Sequence, residues 1–372
     1  MNNKHTHVSY LTQCPGPYRE KMHELVAKQN EFNYDVIYCV RVEPDREWKI
    51  EYGNYEKHFL AETASTVRHN DPSIWKLLNK IKPSVLIITA FKPTMLYGVL
   101  WCVLNGSKVI VYNDGTYLAE QRLSFPQKLV RKLVNMVTSA FMAPGNGTVD
   151  LYRSYGVSDA KIFKSCLCVD NSQLQYNKPD EREYHVMFSG QIIERKAPFF
   201  FGDVVIALNK LHPNLKVLIV GDGELRPALL SKLDANDVDY NYTGYLNQKS
   251  LFEHYAKAKV FLFTTLEDVW GVVGNEACGS GTPVITSRDA GVADDLVIHG
   301  KNGYILEHNV DLWVNHTLNL LTNSVLLNEF SENAIEMVKP YNHQQASSGL
   351  IEAVRYSLAD NKKELKSNIS AV

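Results

Sequence analysis

Between Val260 and Ile285 the chain lays out one structural unit that leaves few folds open. Val260-Phe261-Leu262-Phe263 is a continuous apolar run and reads as a buried strand. A loop runs from Leu266 to Gly271, and a short helix carrying Glu276 and Ala277 follows. Gly279, Gly281 and Pro283 stop that helix, and Val284-Ile285 begins the next strand. Strand, loop, helix, strand is one repeat of a parallel α/β sheet.

Such a loop lies at the carboxyl end of a strand, where open α/β sheets bind their ligands. The first N–H groups of the helix have no intrahelical acceptor and favour an anion such as phosphate. Asp268 and Glu276 are acceptor-only carboxylates, suited to sugar hydroxyls. Together these features suit a nucleotide sugar. Taken as a bare pair of acids, they read more readily as a solvated loop acid and an ordinary helix residue.

The order of residues narrows this. Asp268, Trp270-Gly271, Glu276-Ala277 and Gly281-Thr282-Pro283-Val284 follow one another, with the two acids eight positions apart. The stretch resembles the signature of glycosyltransferase family 4, the retaining sugar transferases of the GT-B fold. It departs at the first acid, which is usually Glu and here is Asp268. Asp, Val, Trp and Gly in this order also resemble a branch that builds bacterial surface polysaccharides (O-antigen or capsule).

Other segments carry the resemblance further. Gly190 and Lys196 fit the family's Gly-Arg, four residues, Lys pattern, in which the Arg and Lys neutralise the donor diphosphate. Gln191 stands at the Arg register and carries no charge, and Arg195 is the nearest substitute. Gly244-Tyr245-Leu246 matches the segment that meets the nucleotide base through its backbone. Gly291–Val297 and Gly300–Leu306 match a downstream turn and hairpin. Gly221-Asp222-Gly223 follows a strand but lacks the third glycine of a dinucleotide fingerprint. Asp237-Val238-Asp239 copies a metal motif of a different transferase fold, and before a strand it reads as a chance match.

The first half follows the same strand-and-helix alternation. Val8–Leu11 reads as a strand, Gln13–Arg19 as a Pro/Gly loop and Glu20–Asn30 as an amphipathic helix. That loop reads equally as a plain strand-to-helix connection; the resemblance makes Gly16 and Arg19 candidates for the acceptor side, Arg19 for an acceptor phosphate. Glu43–Leu60, with Trp48, Tyr52 and Tyr55, reads as a cover or a structured insertion. Asn113 and Asp114 end another strand and read first as an Asp-Gly turn; the resemblance, which often places a polar residue here, makes them candidates to face the donor sugar or acceptor. Ser124–Ala140 reads as a helix with Lys128, Arg131 and Lys132 on it and Leu129, Leu133 and Val137 at helical spacing. That pattern suits a membrane surface or a solvated face. Phe141–Pro144 reads as the last strand of this half.

Composition sets the outer limits. The chain has 372 residues, 45% hydrophobic and 22% charged, long enough for two domains. A net charge of −2 gives no pull toward nucleic acid. Six scattered cysteines, without Cys-x-x-Cys, read as buried thiols of a reducing compartment. His5-Thr6-His7 reads as a loose terminus rather than a metal site. No signal-peptide core stands at the start and no apolar stretch reaches a membrane span, so a cytoplasmic protein is expected, peripheral to the inner membrane at most.

The resemblance implies two Rossmann-like domains with parallel sheets facing across a cleft. Residues 1–170 would bind the acceptor, 171–183 would link, 184–340 would bind the nucleotide sugar, and 341–372 would hold a helix returning to the first domain and a frayed tail. It implies retaining transfer of a hexose-type sugar from a UDP- or GDP-sugar to a lipid-diphosphate-linked glycan. Lys196, Gln191, Arg195 and the N–H groups of Gly271, Val272 and Val273 would hold the diphosphate, Asp268 the sugar and Glu276 the ribose. No cofactor and no metal are implied beyond the co-substrate. Two further readings remain: a nucleotide-sugar epimerase, which the signature disfavours, and a non-catalytic nucleotide-sugar-binding partner of a synthetic complex.

Overall fold

The computed structural model describes residues 6–43, 50–63, 69–115 and 117–369. His5, Trp48 and Thr116 lie outside the described residues. The chain divides into two compact units, residues 1–168 with 343–372, and residues 169–342.

The first unit is built on a parallel sheet. Its strands are β1 (His7–Thr12), β2 (Asn33–Val42), β3 (Glu56–Thr63), β4 (Val85–Ile88), β5 (Lys108–Tyr112), β6 (Thr138–Ala143) and β7 (Ile162–Lys164), in the order β3-β2-β1-β4-β5-β6-β7. The central strands are near-continuous apolar runs because helices cover both faces of a parallel sheet. Around them pack α1 (Pro17–Lys28), α2 (Ile74–Ile81), α3 (Pro93–Asn105), α4 (Tyr117–Gln121), α5 (Phe125–Val137) and α6 (Asn146–Ser154). The last helix of the chain, which we number α13 (His343–Ile369), packs on α1, β5, β6 and β7. Ser165 Oγ donates to the Ala346 carbonyl at 2.8 Å, and Arg355 pairs with Glu31 at 2.6 Å.

The second unit repeats the plan. Strands β8 (Tyr184–Ser189), β9 (Lys216–Val220), β10 (Asp239–Gly244), β11 (Ala258–Phe263), β12 (Val284–Ser287) and β13 (Gly303–Leu306) order as β10-β9-β8-β11-β12-β13, again all parallel. Helices α7 (Pro198–Leu211), α8 (Arg226–Asp234), α9 (Gln248–Tyr255), α10 (Val272–Gly279), α11 (Val310–Thr322) and α12 (Ser324–Val338) surround it. Strand order reverses between β1 and β4 in one sheet and between β8 and β11 in the other. Ligands of open α/β sheets bind at the carboxyl ends flanking such a reversal.

Several expectations shift. Helix α1 starts at Pro17 rather than Glu20, because Gly16 is extended and Pro17 suits a first helical position, so Arg19 sits in its first turn. The stretch expected as cover contains strand β3, whose polar edge position hid any alternation. Thr138, Ser139 and Ala140 leave the expected helix and open β6, and β7 follows as a further strand. The expected hairpin near Gly303 is a parallel strand paired with β12. Helix α13 continues past Ala359, where fraying was expected.

Candidate functional site at the carboxyl edge of the second sheet

Main-chain contact shapes this edge. A Cβ on Gly221 would overlap the Gly190 carbonyl oxygen, so the loops after β8 and β9 touch backbone to backbone. Ile192 N–H donates to the Asp222 carbonyl at 2.9 Å, and Gly221 N–H to the Gly244 carbonyl at 2.9 Å. Three neighbouring strand ends are thereby joined. Gln191 lies exposed between Gly190 and the buried Ile192.

Lys196 follows β8, and a turn through Ala197 (φ +47°) leads into Pro198 at the start of α7. Its side chain is buried, and Nζ donates to Asp268 Oδ2. The ammonium lies 4.9 Å from the Phe263 ring centroid, and the Lys196 carbonyl accepts from Thr264 Oγ1 at 2.9 Å. Burial pulls the Lys196 pKa below its ordinary value, and Asp268 draws it partly back. Arg195 is half exposed, 3.7 Å from Asp268 Oδ2, and donates to the Glu267 carbonyl at 2.7 Å. The two basic residues therefore converge on one carboxylate.

Asp268 follows β11, so the pair spans the reversal between β8 and β11. Its main chain is fixed by Asp268 N–H to Asp289 carbonyl (3.0 Å) and Gly291 N–H to Asp268 carbonyl (2.8 Å). The buried Trp270 donates from Nε1 to Asn275 Oδ1 at 2.8 Å, pinning the loop to α10. Gly271 starts that helix at φ +90°, and a Cβ there would stand 2.6 Å from Phe263, so only glycine fits. No side chain caps α10, which leaves the N–H groups at Val272 and Val273 for an outside acceptor.

Glu276 lies in α10 with only 7% of its surface exposed. Its Oε2 has no hydrogen-bond partner among the described residues, and neither has the Tyr255 hydroxyl or Asn275 Nδ2. Burial pushes the Glu276 carboxyl up to about 7; the nearby Tyr255 hydroxyl draws it partly back without reaching hydrogen-bond geometry. Buried polar atoms without partners are rare and mark places where something else completes the bonding.

Sequence reasoning missed Arg182. It is 4% exposed and donates to the carbonyls of Asn177, Ala258 and Ser280 and to Thr282 Oγ1. It ties the entry into the second unit to the end of α10. Among the flanking acids and amides it carries no signal of burial, so its sequence resembles a linker.

The other candidates separate. Tyr245 is exposed after Gly244, with Leu246 partly covered. Asp237 and Asp239 stand at the amino end of β10, away from this edge. In the first unit, Gly16 precedes α1, and Arg19 is partly buried with its guanidinium 4.3 Å from the Tyr112 ring and Nη1 without a hydrogen-bond partner. Asn113 Oδ1 accepts from Gly115 N–H at 3.2 Å, the turn that the sequence also allowed, and Asp114 follows it. Arg19, Asn113 and Asp114 share the carboxyl edge of the first sheet.

Residues 170–337 match the family model described as glycosyl transferases group 1. Among curated proteins, the alpha-monoglucosyldiacylglycerol synthase of Acholeplasma laidlawii is 28% identical over 193 residues, covering 50% of this chain and 47% of that protein. An alpha-1,4-N-acetyl-D-galactosaminyltransferase of Campylobacter jejuni, named for an undecaprenol-diphosphate-linked substrate, is 27% identical over 158 residues, covering 42% and 43%. The chain spans about half the length of the curated relatives it matches. Among solved structures, the Anabaena protein HepE in complex with UDP and glucose superposes with a TM-score of 0.73 at 13% identity, covering 94% of this chain and all of that one. The sucrose-phosphate synthase of Thermosynechococcus elongatus gives 0.74 at 14% identity, covering 95% and 100%. These likenesses show the fold: two Rossmann-like units of the GT-B type.

Proposed function

We propose that this chain is a retaining glycosyltransferase that moves a hexose-type sugar from a UDP- or GDP-sugar to a lipid-diphosphate-linked glycan of a surface polysaccharide, working at the cytoplasmic face of the inner membrane. One observation carries the reading. Lys196 and Asp268, the uncapped start of α10 and the orphaned Glu276 carboxylate converge on the strand-order reversal of the second sheet, inside the segment that matches the glycosyltransferase model.

In this reading Lys196 and the N–H groups at Gly271, Val272 and Val273 hold the diphosphate, with Arg195 at the rim and Gln191 as an uncharged donor. Glu276 accepts from the ribose hydroxyls, and Gly244, Tyr245 and Leu246 border the base. Asp268 accepts from donor-sugar hydroxyls while holding Lys196. The bond between the anomeric carbon and the β-phosphate oxygen breaks, and charge builds on that oxygen. Lys196 and the amides would neutralise it from fixed positions, so little reorganisation is needed as charge develops. The acceptor oxygen bonds to the anomeric carbon on the face that the phosphate leaves, and the departing phosphate takes its proton. The scheme asks for no cofactor and no metal, since fixed protein charges do the neutralising. Gly16, Arg19, Asn113 and Asp114 form the acceptor side.

Thermal shift against UDP-, GDP-, ADP- and dTDP-sugars, with chelator present, tests the reading. A donor at 100 times its dissociation constant adds about 2.7 kcal/mol. One nucleotide class should stabilise wild type and fail with Glu276→Ala, and radiolabelled sugar should then pass to a lipid-linked acceptor. Donor binding without transfer or hydrolysis would favour a non-catalytic partner, and binding of no nucleotide sugar would overturn the site.

A further inference from the structure

Helices α3 and α5 carry more apolar surface than their sheet can bury. Helix α3 has no charged residue between Pro93 and Asn105. Its inner side supplies Met95, Val99, Trp101 and Cys102 to the core. Its outer side is apolar as well: Leu100, Val103 and Leu104 are 51, 51 and 67% exposed. A helix that is apolar all round is normally enclosed, and this one is not.

Helix α5 repeats the excess. Its spacing sets Leu129, Leu133 and Val137 in one stripe. Val134 is buried, with Val130 packed beside it, and the stripe of Leu129, Leu133 and Val137 faces out. Phe125, Leu129, Leu133, Met136 and Val137 are 78, 45, 55, 75 and 42% exposed. At about 100° per residue they fill an arc of about 120°, and Lys132 and then Lys128 border it on one side. Arg131 turns inward instead, pairing with Glu120 at 2.7 Å and covering the Phe91 ring at 4.6 Å. No acid occurs on either helix.

Both helices are crossovers between neighbouring strands, β4 to β5 and β5 to β6. Such connections are right-handed and lie on the same face of the sheet, and α3 and α5 share one core cluster. Their outward apolar residues therefore lie on one side of the sheet, with Lys128 and Lys132 bordering the α5 stripe. We infer that this surface docks onto an anionic lipid bilayer, its apolar residues entering the headgroup boundary while Lys128 and Lys132 meet lipid phosphates. The rim favours lipid over a second copy, because neither helix carries an acid that could answer Lys128 and Lys132 in that copy, whereas anionic headgroups can. The inference gives the proposed membrane location a surface, and it is testable without activity.

Flotation of the full chain with vesicles of phosphatidylcholine, with and without phosphatidylglycerol, tests it. Wild type should float with the anionic vesicles, less so in high salt. Phe125→Ser/Leu133→Ser/Met136→Ser, which alters only exposed side chains, should weaken partitioning at least about tenfold, and Lys128→Gln/Lys132→Gln should remove the preference for anionic lipid. Thermal shift with the donor should be unchanged in both variants, separating a failed docking surface from a failed donor site. Absence of flotation by wild type, or flotation untouched by the triple substitution, would overturn the inference. So would a wild-type dimer that the triple substitution turns into a monomer.

Discussion

Lys196 Nζ donates to Asp268 Oδ2, joining the loop after β8 to the loop after β11 across the reversal of the second sheet. The ammonium is buried, so its counter-charge is structural as well as chemical. Removing one member leaves the other charge uncompensated in a poorly solvated place.

Asp268→Asn should therefore destabilise the chain by about 3 kcal/mol. Lys196→Met/Asp268→Leu, which removes both charges, should cost less than Asp268→Asn alone. Urea unfolding of the variants checks this, and an additive double variant would show that the pair is not coupled. None of the variants should retain donor stabilisation.

Glu276 should give the fold a pH dependence. Its carboxyl lies near 4.5 when solvated and is held up to about 7 by burial. A raised acid supports the fold only while protonated, so its contribution is full below about 4.5 and is lost as pH rises through about 7. Glu276→Gln should remove this slope, leaving the variant more stable than wild type by about 3 kcal/mol at about pH 8 and equal to it in acid. Unfolding curves across that range decide it. Parallel curves for the two proteins would refute the assignment.

Ribose hydroxyls donating to Glu276 would favour its ionised form. Binding of a nucleotide diphosphate near neutral pH should then release a proton in wild type and none in Glu276→Gln. Calorimetry in two buffers of different ionisation enthalpy measures it directly.

Gly221→Ala should cost about 3 kcal/mol or more, because a Cβ at φ +114° is strained and also overlaps the Gly190 carbonyl. The loops after β8 and β9 would have to part, so donor stabilisation should fall as well. A melting temperature within error of wild type would contradict the close approach.

Arg182→Lys keeps the charge but loses the fork that reaches three carbonyls and Thr282. It should cost about 2 kcal/mol, and Arg182→Met more, since buried acceptors then lose a charged donor. Because these bonds hold the end of α10, hydrogen exchange in α10 should speed up before exchange in β11 does.

Local pattern carried much of this protein. Apolar runs bounded by Gly and Pro located most strands, because a parallel strand buried on both faces can be little else. The spacing of Asp268, Trp270-Gly271 and Glu276 located the second-sheet edge, because a loop that turns into a helix fixes its residues over a short distance. Tertiary structure decided what depends on distant neighbours. Strand β3 forms because β2 offers it an edge, and Arg182 is buried because α10 ends beside it. That Lys196 and Asp268 meet follows from β8 and β11 being adjacent strands although their residues lie far apart in the chain. The spacing of Leu129 and Leu133 likewise defined a stripe, but only packing determined that it faces out.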